Sequence, residues 1–369
     1  MTSLLAFLIA AVGLPRDTAP SGKCVIVQRS TVYRHPATDP YDLKNLYGFN
    51  HAPSVVALPD GRLLAAWFSG PFEASVHQAI LGAYSADGGK TWTPAHVLQD
   101  FPRKSDFDPA FIVDGGRTWF FFSAGRHNRY PPVRDPKTEV GPDSFKTYAR
   151  TSDDAGRTWS EPRVVGERVF CRSNGIRLST GELLLPVYES PAHIGGILKS
   201  TDGGRSWRHV GGIRSAAGAG EPSIAELPGG GVLMVLRTRD GFLWKTVSRD
   251  RGETWAEPLR TDLVAATTSH SIFRTRSGRL VLVHNESPPP TRTNLNIRIS
   301  SDEGATWGAP CLLAEAATPG KDEVVWSRQA TYPSVAELRD GSLVVVWTDL
   351  SVADTEQYGD IRAARVRVE

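Results

Sequence analysis

The sequence is poor in the features that indicate a metal site, a disulfide framework or a membrane span. It contains three cysteines, Cys24, Cys171 and Cys311, which lie far apart and form no C-x-x-C pair. That number and spacing favour neither a zinc site nor a disulfide framework, so we expect three small core or surface residues. No apolar run reaches the roughly 18 residues of a membrane-spanning helix. We therefore expect no metal, no cofactor and no membrane span.

The sequence also lacks an excess of charge of either sign. The 42 basic residues are balanced by 40 acidic ones, which gives a formal net charge of +2, and no basic stripe is visible. A nucleic-acid-binding domain normally carries a surface patch or stripe with an excess of positive charge. We therefore expect no nucleic-acid partner, and we expect a monomer.

The N-terminus differs from the rest of the chain. The apolar run LLAFLIAAVGL (4–14) is followed by Pro15 and Arg16. Its length matches the apolar region of a signal peptide, although no Lys or Arg precedes it. We predict a signal peptide and linker over 1–22 and a secreted or periplasmic protein. The alternatives are a buried N-terminal strand and a start assigned too early.

Short β-rich runs recur along the chain, and apolar stripes of helical period are hard to find. One eight-residue pattern, Ser-x-Asp-x-Gly-x-Thr/Ser-Trp, occurs five times, with its aspartates spaced by 67, 48, 48 and 52 residues. Self-similarity at this period is typical of propellers and solenoids. The copies are SADGGKTW (85–92), SDDAGRTW (152–159), STDGGRSW (200–207), SRDRGETW (248–255) and SSDEGATW (300–307).

A second repeat gives the number of units. Six glycine turns each lead into an apolar strand, and each is preceded by another short strand; the segments are 58–68, 113–123, 178–189, 227–239, 276–286 and 338–349. Four-stranded antiparallel units arranged radially are propeller blades. We predict an all-β, six-bladed β-propeller that occupies 23–369 as a single domain. The last blade needs a fourth strand, and we expect 23–33 to supply it, which removes exposed sheet edges.

The repeated pattern has a structural explanation of its own. Its Asp can accept hydrogen bonds from turn N–H groups, its Gly can take a positive φ, and its Trp can pack into the blade interior. We therefore expect the repeat to build the fold and not to perform catalysis.

The five repeats in a six-bladed ring resemble the Asp-box (BNR) repeat of the sialidase, or neuraminidase, superfamily over about residues 45–369. The resemblance implies the fold strongly. It implies an activity less strongly, because Asp-box propellers also include lyases and non-catalytic binding proteins.

In a propeller, the first strands line the central channel and begin at one face, so their first residues should converge on one funnel. In the six blades, these positions hold His51, Asp108, Asn174 (with Arg172 nearby), Glu221, His270 and Tyr332. So many polar and ionisable residues predict a binding site. From this set we predict that His51, Asp108, Arg172 and His270 contact the substrate.

The resemblance implies roles for four residues. Tyr332 opens the last blade where the family has its nucleophilic tyrosine, and Glu221 matches the family's glutamate base. Arg237 and Arg292 match family arginines that bind the substrate carboxylate. The chemistry is consistent, because a phenol with a pKa of about 10 needs a base, and guanidinium groups bind carboxylates through paired N–H donors.

The chain departs from the family at two points. His51, in NHAPSV, stands where the family has the arginine of an Arg-Ile-Pro motif; Arg34, in YRHP, is an alternative source of that guanidinium. The loop that holds the family's acidic Asp contains Glu73 and His77 instead, and Asp106 or Asp108 can reach in from the next blade. We take Glu73 and His77 as candidate catalytic groups.

Three functions remain open from the sequence. The leading hypothesis is an exo-acting glycoside hydrolase that removes a terminal, acidic sugar such as sialic acid from a glycan. The second is a polysaccharide lyase in which His51, His77 or Tyr332 abstracts a proton beside a uronate carboxylate. The third is a propeller that binds carbohydrate or protein without catalysis.

Overall fold

The computed structural model describes residues 23–36, 47–125, 145–190, 192–317, 328–350 and 359–369. The predicted signal peptide and linker, 1–22, lie outside the described residues. Within these ranges the regular structure consists of β-strands and one short 3₁₀ turn at Pro228–Gly230. No helix in the described ranges is long and apolar enough to cross a membrane.

The strands form six sheets of a propeller. The chain starts with β1 (Cys24–Tyr33), and blade one follows as β2 (Phe49–Ala57), β3 (Leu63–Gly70), β4 (Ala79–Ser85) and β5 (His96–Gln99). Blade two contains β6 (Ser105–Asp114), β7 (Arg117–Gly125), β8 (Lys146–Ser152) and β9 (Arg163–Glu167). Blade three contains β10 (Phe170–Cys171), β11 (Ile176–Arg177), β12 (Leu183–Glu189), β13 (Ile194–Ser200) and β14 (Arg208–Ile213).

The second half of the ring repeats this order. Blade four contains β15 (Gly220–Glu226), β16 (Val232–Arg237), β17 (Phe242–Ser248) and β18 (Leu259–Val264). Blade five contains β19 (Ser271–Arg274), β20 (Leu280–Asn285), β21 (Asn294–Ser300) and β22 (Cys311–Glu315). Blade six contains β23 (Ala330–Glu337), β24 (Leu343–Asp349) and β25 (Asp360–Val368), with β1 as its outer strand. The predicted six-bladed all-β propeller is confirmed.

The N-terminal strand closes the ring. β1 pairs antiparallel with β25, with Cys24 opposite Val368 and Tyr33 opposite Ile361. The first and last strands of the described chain therefore lie in one sheet, as the count of hairpins and boxes predicted. Without β1 the outer edge of β25 would be unpaired, so closure in this way covers that edge.

The core lies between neighbouring blades. Every residue of β3 and β20 is buried, because the second strand of a blade packs against both neighbours. This explains why such strands read as continuous apolar runs and do not alternate. The outer strands, such as β14 and β18, are mostly exposed, since only one edge of each faces protein.

The Asp-box aspartates fix their turns as predicted. Asp87 Oδ1 accepts hydrogen bonds from the backbone N–H groups of Lys90 (3.0 Å) and Thr91 (2.9 Å), and Oδ2 accepts one from Thr91 Oγ1 (2.6 Å). Although burial favours the neutral acid, these hydrogen bonds lower the pKa of Asp87 to about 2. The carboxylate therefore stays ionised and stabilises the turn, and it does not transfer protons.

The box tryptophans do not all pack within their own blades. Trp159 packs on its own blade, with its ring centroid 5.6 Å from that of Phe120. Trp207 is half-buried and packs onto the preceding blade, with its ring centroid 5.8 Å from that of Trp119 and 5.3 Å from that of Phe121. Gly204 has a φ of +79°, and a Cβ there would overlap the Trp119 ring. The box therefore joins adjacent blades in addition to shaping its own turn.

The cysteine prediction is wrong for two of the three residues. Cys24 on β1 and Cys311 on β22 form a disulfide with a Cα–Cα distance of 6.1 Å, whereas Cys171 is a buried free thiol. The pair is 287 residues apart in sequence, and only ring closure brings the outer strands of blades five and six together. A disulfide is compatible with an oxidising compartment outside the cytoplasm.

We expect reduction of this disulfide to destabilise the propeller, because it ties the closing strand to the adjacent blade. Replacing Cys24 and Cys311 together by serine should cost about 2–4 kcal/mol of unfolding free energy. The check is thermal unfolding with and without reductant. The reductant should lower the melting temperature of the parent protein and leave that of the double variant unchanged. If the melting temperature of the parent does not change, the disulfide contributes no stability.

Candidate functional site

Four first strands carry the same backbone distortion at the same height. Their ladders shift register at a bulge, and the residue before a proline at each bulge has a positive φ; these residues are Ala52 (52°), Asp108 (54°), Glu221 (37°) and Tyr332 (57°). Such backbone is uncommon outside glycine and costs on the order of 1–3 kcal/mol per residue. Because bulges change the direction of a side chain, this backbone sets the direction in which Asp108, Glu221 and Tyr332 leave their strands, whereas Ala52 packs into the core.

Alternate blades supply the three functional members of this set. Asp108 comes from blade two, Glu221 from blade four and Tyr332 from blade six, so they approach the funnel from three sides. Burial and then the charges of Asp108 and Glu221 raise the pKa of Tyr188 well above its usual value. These groups are therefore close enough to interact across the ring.

Tyr332, Glu221 and Arg237 form a connected cluster. The Tyr332 hydroxyl donates to Glu221 Oε1 at 3.4 Å, and Arg237 Nη1 donates to the Tyr332 oxygen at 3.0 Å. The same Arg237 nitrogen also donates to Glu221 Oε1. The phenol thus touches both a proton acceptor and a cation.

The electrostatics of the cluster keep the resting phenol neutral. Burial raises the pKa of Tyr332, although the Arg237 guanidinium opposes that rise. Burial also opposes the charge of Arg237, but the Glu221 carboxylate raises the pKa of Arg237. A neutral phenol needs a base before it can attack an electrophile, and Glu221 is in position to be that base.

Two further arginines and a histidine surround the ring of Tyr332. The Cζ atoms of Arg172 and Arg292 lie 5.1 Å and 5.9 Å from its centroid, and the His51 ring centroid lies 4.2 Å away. Burial, followed by the charge of Arg292, lowers the pKa of His51 well below its usual value. His51 is therefore a neutral ring in a cationic environment.

Asp108 is a buried acid. It is 7% exposed, and burial raises its pKa to about 8, although the Arg172 guanidinium pulls the pKa in the opposite direction. At pH 7 the carboxyl group is therefore mostly protonated. A protonated carboxyl can donate a hydrogen bond or a proton, which an ordinary aspartate cannot do.

The structure gives different surroundings to Glu73 and His77, the two candidate catalytic groups from the loop of blade one. Glu73 and His77 both lie in the exposed loop between β3 and β4. The charge of Glu73 raises the pKa values of Asp108 and Tyr332, so this carboxylate is near them. The backbone N–H of His77 donates to Ser75 Oγ at 3.1 Å, and in the described part of the chain its ring contacts no other site residue.

Three further residues were expected at the funnel. His270 is 1% exposed, and burial lowers its pKa to about 3, so its ring is buried and neutral; its contact with substrate stays a prediction. Asn174 donates to the Val55 carbonyl (2.8 Å) and accepts from Phe111 N–H (2.9 Å), which ties first strands together lower in the channel. Arg34 directly follows β1, its side chain is mostly exposed, and its Nε lies 3.9 Å from Asp360 Oδ2, so its role as the alternative guanidinium stays a prediction.

The sequence reading missed two residues beside the site. Tyr188 lies one residue before the end of β12, near Asp108 and Glu221. His193 follows in the next turn, and a Cβ on Gly220 would lie 2.7 Å from its Nδ1. Burial, then the nearby arginines, lowers the pKa of His193. The end of the second strand in blade three is the sequence signal that could have pointed to Tyr188.

The family comparison agrees with this architecture. Residues 61–345 match the family described as the BNR repeat-like domain. The chain belongs to this family, within the sialidase superfamily. Its relatives include a sialidase from Micromonospora viridifaciens, which is 28% identical over 290 residues. That alignment covers 69% of this chain and 44% of the relative, so the chain spans less than half of the relative's length.

Solved structures show the same fold at lower identity. An intramolecular trans-sialidase from Ruminococcus gnavus, in complex with oseltamivir carboxylate, superposes with a TM-score of 0.68 at 17% identity, covering 88% of this chain and 95% of that one. A protein of unknown function from Dyadobacter fermentans gives a TM-score of 0.75 at 18% identity, covering 95% and 100%. At these identities the likeness establishes the propeller and not the reaction.

Proposed function

We propose that this protein is an exo-acting glycoside hydrolase that removes a terminal, acidic sugar from a glycan, with sialic acid as the first candidate. The observation that carries the proposal is the contact of one buried phenol, Tyr332, with both Glu221 and Arg237. A relative named as a sialidase supports the choice of sugar.

The reaction divides into two displacements. In the first, the Tyr332 oxygen bonds to the anomeric carbon while Glu221 takes the phenol proton, and the glycosidic bond breaks. The leaving oxygen takes a proton from a carboxylic acid, for which Asp108 and Glu73 are the candidates. In the second, water attacks the same carbon, the carboxylate that protonated the leaving group takes a proton from the water, and the bond to Tyr332 breaks as the Tyr332 oxygen recovers its proton from Glu221.

The proposal explains why a phenol is used and not a carboxylate. A sugar whose anomeric carbon bears a carboxylate would repel an anionic nucleophile, whereas a neutral phenol approaches without charge repulsion. Arg237 and Arg292 then bind that carboxylate through paired donors. Arg237 also stabilises negative charge on the Tyr332 oxygen as its proton leaves.

One observation favours the lyase as a second candidate. The His51 ring lies against Tyr332, and a His–Tyr pair is able to abstract a proton beside a uronate carboxylate. However, burial lowers the pKa of His51 well below 6.5, which makes it a weak base at neutral pH. We therefore rank hydrolysis above elimination.

A substrate panel separates these functions. Purified protein is incubated with sialosides, uronic-acid glycans and neutral aryl glycosides while reducing-sugar release and ultraviolet absorbance are both recorded. We expect release of sugar from sialosides without new absorbance. An unsaturated, absorbing product from uronic-acid glycans would establish the lyase, and binding with all glycans left intact would establish a non-catalytic propeller.

A further inference from the structure

The central channel contains a second cavity, the lower cavity, at the end away from the funnel. It has a volume of about 400 Å³ and is lined by residues of the first strands of all six blades. Asp108 and Tyr332 lie near the beginning of their first strands. Arg274 and Glu337, which line the lower cavity, are the last residues of theirs. The lower cavity therefore opens on the face of the propeller opposite the funnel.

Polar side chains separate the lower cavity from the funnel. Asn174 Nδ2 donates to the Val55 carbonyl (2.8 Å) and Asn174 Oδ1 accepts from the Phe111 N–H (2.9 Å), so one side chain joins blades one, two and three. Arg172, two residues earlier, donates to the Tyr332 carbonyl of blade six (3.3 Å). The residues that line the lower cavity include neither Arg172 nor Tyr332. A ligand can therefore occupy the lower cavity without entering the funnel.

Apolar side chains form part of the wall of the lower cavity. Val113, Ile176 and Phe273 line it, and each is only partly buried. Covering such apolar surface by a ligand is favourable, because it removes that surface from water. Binding sites for small molecules commonly have this volume and combine an apolar wall with a few polar groups that fix the orientation of the ligand.

Arg274 is a cation at the mouth without a carboxylate partner among the described residues. Its Nη1 donates to the backbone carbonyl of Glu226 at 2.9 Å, which is a neutral acceptor. The Glu226 carboxylate instead accepts hydrogen bonds from the N–H (3.0 Å) and the hydroxyl (2.6 Å) of Ser179. The guanidinium of Arg274 therefore retains N–H donors for an anion.

The other two arginines of the mouth are paired. Arg177 Nε lies 2.7 Å from Asp114 Oδ1, and Arg276 Nε lies 3.4 Å from Glu337 Oε1. In both pairs the arginine is the more exposed partner, at 44% against 28% and at 58% against 9%. A ligand that approaches this mouth therefore meets guanidinium groups before it meets carboxylates.

We propose that the lower cavity binds a small amphipathic carboxylate. The apolar body of the ligand, a phenyl ring or a short acyl chain, lies among Val113, Ile176 and Phe273, and its carboxylate accepts hydrogen bonds from Arg274. A neutral ligand of the same shape covers the same apolar surface but makes no charge-assisted hydrogen bond. The proposal does not depend on the proposed function, because the funnel lies on the opposite face.

The test is equilibrium binding of 3-phenylpropionate and of its amide, 3-phenylpropanamide, to the full chain by isothermal titration calorimetry. We expect the parent to bind the acid about 10-fold or more tightly than the amide. Arg274→Gln should lose this preference and keep its affinity for the amide. The matched control is the double variant Arg276→Gln/Glu337→Gln, which removes a complete ion pair from the same mouth without changing the net charge and should keep the preference.

Three further variants locate the bound acid. Val113→Trp narrows the lower cavity and should abolish binding of both compounds without lowering the melting temperature. Arg292→Gln removes an arginine of the funnel and should leave both affinities unchanged. Arg274→Lys keeps the charge without the planar fork, so it should keep part of the preference for the acid if the glutamine variant does not fold.

Four results would overturn the proposal. The parent binds no acid at millimolar concentration, or it binds the acid no more tightly than the amide, in which case the lower cavity takes only neutral ligands. The preference for the acid persists in full in folded Arg274→Gln, or it is lost in Arg292→Gln, in which case the acid binds in the funnel.

Discussion

Tyr332→Phe is expected to reduce kcat on an aryl sialoside by about 10³-fold or more, because the variant lacks the atom that forms the glycosyl–enzyme bond. The fold should survive the change, since the ring that packs against His51 and Arg172 is retained. Binding of the sugar should change little, because the arginines are intact. The measurement is kcat and KM on the aryl sialoside together with the melting temperature.

Tyr148→Phe provides the matched control. It also removes one phenolic oxygen, but Tyr148 lies on β8 in blade two, where it packs against Phe101 and Phe122 away from the funnel. Its activity should equal that of the parent. Full activity of Tyr332→Phe would refute the nucleophile assignment, whereas loss of activity together with a lower melting temperature would indicate misfolding and would require Glu221→Gln as a second probe.

The fold could be predicted from the sequence because its signals repeat. Five boxes and six glycine turns fix the number of blades, and the mismatch between five and six places 23–33 in the last blade. What failed depended on contacts between blades, which no local pattern encodes. Trp207 packs onto blade two, and Cys24 meets Cys311 only after the ring has closed.

The sequence was sufficient to locate the site but not to show which side chains face the funnel. Counting back from the glycine turns reached Asp108, Glu221 and Tyr332, and each of these precedes a proline at a bulge. The bulge decides which neighbouring residue faces the funnel, so counting along the strands located the site without showing that Tyr188 lies near Asp108 and Glu221. Arg172 was among the predicted binding residues, but its hydrogen bonds to the Tyr332 and Pro53 carbonyls form only in the closed ring and are invisible in the sequence.

The residue that protonates the leaving group can be identified by comparing substrates with different leaving groups. If Asp108 donates the proton, Asp108→Asn should reduce the hydrolysis of a natural sialoside by about 10²–10⁴-fold. An aryl sialoside with a nitrophenol leaving group, which departs as a stable anion, should be affected much less. For the parent, kcat/KM on the natural sialoside should fall as the pH rises through about 8, where Asp108 loses its proton. Glu73→Gln is the matched control.

Stability provides an independent check on the same carboxyl group. Burial raises the pKa of Asp108 in the folded state to about 8, so between about pH 4 and pH 8 the folded chain holds a proton that the unfolded chain has lost. The contribution of Asp108 to stability therefore falls across this window as the pH rises. Asp108→Asn lacks that titration, so it should melt at a higher temperature than the parent at pH 8 while being nearly inactive on the natural sialoside.

If instead Glu73→Gln shows the dependence on leaving group and Asp108→Asn does not, the proton comes from the first-blade loop, and the protonated Asp108 serves only to hydrogen-bond the sugar.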